Sequence, residues 1–336
     1  MFTGLMDSPS GRGLLERFHR ALFGPPALFW AVVLIALAYA YPDTAAEKLY
    51  RVLGLPISSL LLLAFAAAAL LLFSAWIADL VRDDLYLWLE GYRWPVWMFH
   101  KGISLWEGRR ECAKNRWEAL AEDRSPPGQD KNGKGRPARD REFAQLDVWL
   151  HHLPQGDNLL PTAFGNVLRA AEEYVRLRYG LDPIVVWPRL WLLLSEERNE
   201  LDNHRRALDA AVDGVLFGIV LLLLGAATLL LAVSIPLPLG GAVSLFLSGL
   251  LIVWFSYRLA VERARQFALL LQATFDIRRL RLYDALGCPR PNPDAEIEAG
   301  KQLAGFLWRG GRPPCRSEIS SAVERGGEAR EKSCGH

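Results

Sequence analysis

Apolar positions gather into four long uncharged stretches of this chain, and charged positions crowd into what lies between them. The first stretch runs from Ala21 to Tyr41, behind Arg17 and Arg20. The second runs from Val52 to Ile77, with Asp79 the next charge. The third covers Val215 to Ile235 and the fourth Leu239 to Tyr257, with Pro236-Leu237-Pro238 between them. At about 1.5 Å of rise per residue, stretches of this length match a hydrocarbon core of about 30 Å. The pattern predicts an all-α integral membrane protein with four transmembrane helices in two hairpins and a helical cytoplasmic region. Its expected divisions are an N-terminus over 1–20, a first hairpin over 21–81 and a cytoplasmic or interfacial region over 82–208. A second hairpin over 209–258, a helix extension over 259–287 and a largely disordered tail over 288–336 complete the chain.

The water-facing parts carry helical patterns of their own. Tyr86, Trp88, Tyr92, Trp94, Trp97, Phe99 and Trp106 are interleaved with charges directly after the second stretch. Such rings concentrate at headgroup level, so Leu85–Trp106 reads as amphipathic helix at the inner interface, broken near Pro95. Residues 125–141 are rich in Pro, Gly and Lys and read as a disordered linker. Phe164, Val167, Leu168, Ala171 and Val175 recur at helical spacing and predict a helix over 163–178, stopped at Gly180. The apolar run Ile184–Leu194 is too short to span, and re-entrant, interfacial and core readings stay open. Ser195 is a candidate N-cap, with Glu196 and Glu197 in the first turn. The fourth span continues as helix to Leu286, with Val261, Ala264, Phe267, Ala268, Leu271 and Phe275 on one face. That face calls for a partner from 85–120, from 195–210 or from another subunit. Beyond Gly287 only Leu303–Trp308 offers a brief apolar contact.

Charge sets the orientation. The 39 Lys and Arg nearly balance 37 Asp and Glu, which gives no reason to expect a nucleic-acid partner. All basic residues except Lys48 and Arg51 fall in 1–20, 82–208 or 258–336. The positive-inside rule therefore puts both termini and the long middle region in the cytoplasm. Ala38-Tyr39-Ala40 resembles a signal-peptidase site, but the apolar stretch is of full spanning length and predicts retention. Cys112, Cys288, Cys315 and Cys334 lack metal-ligand spacing and read as free cytoplasmic thiols.

Candidate chemistry is sparse. No metalloprotease, nucleophile-elbow, P-loop or dinucleotide-binding motif occurs, so no cofactor or metal is expected. His151 and His152, with Asp147 four residues before His151, are the nearest approach to a metal or acid–base group, but a third ligand is missing. Asp79, Asp83, Asp84, Asp209 and Asp213 gather at the inner ends of the spans. They form either a cation-collecting pore mouth or a set of ion pairs with Arg82, Arg205, Arg206 or Arg258. Gly214, Gly218 and Gly225 on the third span, and Gly241, Ser244 and Ser248 on the fourth, form small-residue stripes suited to close helix packing.

The block LPTAFGNVLRAAEEYVRLRYGLDPIVVWPRLW, Leu160–Trp191, together with the four-span layout, resembles an uncharacterised family of bacterial four-span inner-membrane proteins. The resemblance implies a location in a bacterial inner membrane and assigns no activity. The expected function is a non-enzymatic multi-pass membrane protein, as an oligomeric channel or membrane-permeabilising effector. The alternative is a scaffold or sensor that recruits a cytoplasmic partner, and a membrane-bound enzyme ranks third. Expected partners are the lipid bilayer, further copies of the chain and a cytoplasmic protein.

Overall fold

The computed structural model describes residue 22 and residues 24–122, 136–156, 158–195, 198–232 and 238–310. Among these residues the regular structure is entirely helical, without a strand. The order is α1 (Pro25–Ala40), α2 (Pro42–Leu53), α3 (Ile57–Glu90), α4 (Val96–Glu122), α5 (Arg136–His151) and α6 (Ala163–Tyr179). Then follow α7 (Pro183–Leu193), α8 (Arg198–Leu231), α9 (Leu239–Ala285), a 3-10 turn (Pro293–Ala295) and α10 (Glu296–Arg309). Helices α3, α8 and α9 are each long and apolar enough to cross a membrane. A fourth span exists only if α1 and α2, bent by 119° at Tyr41, are taken together.

Two compact units divide the chain, one of residues 9–88 and 203–264, the other of 1–8, 89–202 and 265–336. In the first, Phe29, Val33 and Ala36 of α1 meet Ala78 of α3, Phe217 and Leu221 of α8 and Leu245 of α9 in one buried cluster. The sequence placed the start of the second span at Val52. Val52 instead belongs to α2, and α3 begins after Pro56, whose ring suits a helix start and has no N–H to continue the preceding turn. The 42–54 loop is therefore itself a helix.

In the second unit α6 is the central element. Its N-cap Thr162 accepts from the Gly165 N–H, and Gly180 ends it at φ 68°, in the left-handed region glycine enters without penalty. The predicted face of α6 is buried, and Leu190 of α7, Leu271 and Phe275 of α9 and Leu303 of α10 join it in the core. The 184–194 run is thus a packed helix of this unit: Trp187 lies 5.9 Å from the Phe275 ring centroid. At Phe275 the apolar face of α9 meets Trp187 of α7, a contact outside the ranges named for its partner. Helices α4 and α5 form a hairpin closed by stacking of Trp106 on Trp149 and Trp117 on Phe143.

Two further expectations change. The predicted linker overlaps α5, which is already helical from Arg136, and the rest of 125–141 lies outside the described residues. The tail expected to be disordered from 288 instead forms the 3-10 turn and α10, which packs on α6 and α7. Leu303 and Ala304 are buried there, while residues 311–336 lie outside the described residues. Cys112 is an exposed free thiol.

Candidate functional site

The most concentrated buried charge in the first unit sits where α3 and α8 pack. Arg82 forks onto Asp213: Nε donates to Oδ1 at 2.9 Å and Nη2 to Oδ2 at 2.8 Å. Nη2 also reaches Asp79, one turn back on the same helix, at 2.6 Å. One turn further along α3, the Tyr86 hydroxyl donates to Asp209 Oδ1 at 3.0 Å. Arg82, Tyr86, Asp209 and Asp213 are 8%, 2%, 1% and 3% exposed.

The local cause is helical register. Arg82 and Tyr86 are four apart on α3, and Asp209 and Asp213 are four apart on α8, so each pair shares a face. Two antiparallel helices then match the pairs rung by rung, Arg82 to Asp213 and Tyr86 to Asp209. The next rung on the apolar side is Ala78 in the cluster that holds Phe217. Removing charge from water costs several kcal/mol per ion, so such a group persists only with strong, directed partners. The bidentate guanidinium–carboxylate fork is that kind of partner.

The predicted acidic residues separate into two sets. Asp79, Asp209 and Asp213 enter this cluster, and Asp83 and Asp84 are exposed on α3. Tyr86 was read as part of an aromatic belt, and its role as donor to Asp209 was missed. The signal for it was present: matched i, i+4 polar pairs flanking two apolar stretches. The small residues also divide. A Cβ on Gly218 would fall 2.9 Å from the Val253 amide nitrogen, and Cβ atoms on Gly225 and Gly249 would run into the backbones of Phe246 and Leu222. Gly214 faces Ser256, so these glycines bring α8 and α9 together. Gly241 faces Ala40 of α1 instead. The Ser244 hydroxyl donates to the Gly241 carbonyl, and Ser248 is half-buried.

His151 and His152 line one small pocket with Arg265 and Gln272. His152 Nδ1 donates to the Val148 carbonyl at 2.8 Å, and Asp147 accepts from the Trp117 indole at 3.2 Å. Among the described residues no group of three or more His, Cys, Asp or Glu is placed to hold a metal ion. A second polar network does form in the other unit. Asp276 accepts from Tyr179 at 2.6 Å and from Tyr174 at 3.1 Å. The Arg279 guanidinium lies 4.0 Å over the Tyr179 ring and forks onto Glu296 at 2.6 and 3.3 Å. Burial, followed by the Asp276 hydrogen bond, holds the Tyr179 phenol well above its ordinary range. The Glu296 contact fastens α10 to α9. No known protein family, characterised protein or solved structure matches this chain.

Proposed function

We propose that this is a non-enzymatic multi-pass membrane protein whose apolar helices anchor a folded helical unit at the cytoplasmic face, where that unit recruits a protein partner. The observation that carries this reading over a conduit is the buried bidentate fork of Arg82 on Asp213. A carboxylate ring serves a cation pathway only when it is turned toward the permeating ion. Asp213 is instead engaged by Arg82 and Asp209 by Tyr86. The glycine contacts of α8 and α9 support the same reading, because they bring the two backbones together. A bacterial inner membrane, cytoplasmic termini and association with further copies belong to the same proposal. Support for self-association is the 18-residue apolar window of α3, none of which is buried.

The test is reconstitution in planar bilayers beside Asp213→Asn. The expected result is no ion current above the empty bilayer for either protein across both voltage polarities. A cation current in the wild type that Asp213→Asn reduces would overturn the anchor reading and restore the channel.

A further inference from the structure

We propose that α2 lies flat in the bilayer at the boundary between headgroups and acyl chains. This rests on the membrane reading above. Its first support is the bend. At Tyr41 the chain turns through 119°, out of the direction of α1 and into α2.

The second support is the surface of α2. Ala45, Ala46, Leu49, Val52 and Leu53 share one face, and Asp43, Glu47 and Arg51 occupy the other. Glu47 and Arg51 pair at 2.6 Å on that polar side. Lys48 and Tyr50 fall on the two flanks, where a long stem or a ring keeps its polar end in water. An apolar face of this kind is normally covered, yet no residue of α2 is buried in the protein: Leu49 is 60% exposed and Leu53 70%.

The third support names the occupant. Tyr39, Tyr41 and Tyr50 are all exposed around the bend, and tyrosine concentrates at the headgroup level of bilayers. An in-plane amphipathic helix sinks its apolar face about 5–10 Å below the headgroups. A helix lying there fixes the depth at which α1 and α3 enter.

Nitroxide labels on the full-length protein in phosphatidylcholine vesicles test this, with the four native cysteines replaced by serine and helicity checked by circular dichroism. Labels at Leu49→Cys and Leu53→Cys are expected to meet oxygen several-fold more readily than a water-soluble nickel chelate. Their depth should be about 5–10 Å below the phosphates. Glu47→Cys should show the reverse preference, and Leu62→Cys on α3 should read deeper than either. Labels at 49 and 53 as open to nickel as 47 would put α2 in water and overturn the proposal. Labels closed to both reagents would put protein, such as a second copy, on this face and overturn it equally. A nickel-accessible label at 62 would instead show that α3 is outside the bilayer, so that the membrane reading itself has failed.

Discussion

Arg82 is the residue on which the first unit turns. Its guanidinium serves Asp213 and Asp79 at once, so truncation removes two partners and strands a carboxylate that is 3% exposed. Arg82→Met is expected to cost about 3–5 kcal/mol in detergent unfolding. Arg82→Met with Asp213→Leu should recover most of it, because an apolar pair leaves no charge stranded. If the double variant is no more stable than the single, the fork is not what holds α3 to α8. Glu172 makes a separate, pH-dependent prediction. Burial pushes its carboxyl above the ordinary range, opposed by Arg169, which it contacts at 2.9 Å, and by Arg176. A carboxyl whose folded pKa is raised favours the folded state below its unfolded value and loses that contribution as pH rises through the folded value. The thermal midpoint of wild type relative to Glu172→Gln should therefore fall as pH rises from about 4.5 through the raised value. A difference that does not change with pH would rule this out.

At the scale of elements, close backbone approach decides two joints. A Cβ at Gly225 runs into the Phe246 backbone, so Gly225→Val must push α8 and α9 apart. It is expected to cost about 1–3 kcal/mol, read by the same detergent unfolding. Gly305, whose Cβ would meet nothing, is the control. On α10 a Cβ at Gly300 would strike the Tyr179 carbonyl, and Gly180 is just as close to Ile297. Gly300→Val should release α10 and expose 287–296 to limited proteolysis, while wild type resists. These joints show what the sequence can and cannot announce. The glycines of α8 stand at spacings that signal close packing, and the α6 helix is legible from Thr162 to Gly180 in its cap, apolar spacing and stop. The docking of α10 is legible only in part: Leu303–Trp308 announces an apolar contact, but Gly300 acquires meaning only against Tyr179 and Gly180, over a hundred positions earlier. The bend at Tyr41 is legible in part: the apolar run ends there and Pro42-Asp43 follows, but nothing in that pattern shows that 42–53 is itself a helix.

For the whole molecule, the proposed orientation makes a chemical demand at Cys288. A cytoplasmic location keeps thiols reduced. With both termini inside, rapid alkylation in intact cells is expected to trap Cys112 and Cys288 alike. If Cys288 is blocked in freshly trapped cells and released only by a reductant, residue 288 faces an oxidising compartment and the orientation must be reversed. The long separation between the halves of the ion-pair cluster adds a consequence in time. Arg82 and Asp213 are 131 residues apart, which at about 5–20 residues per second is roughly 7–26 s of synthesis. For that interval the guanidinium of α3 has no carboxylate from α8 to meet. Asp79, one turn away on the same helix, is available from the moment α3 forms. Removal of Asp79 is therefore expected to show first as failed insertion of newly made chains, before any loss of stability in those that have inserted.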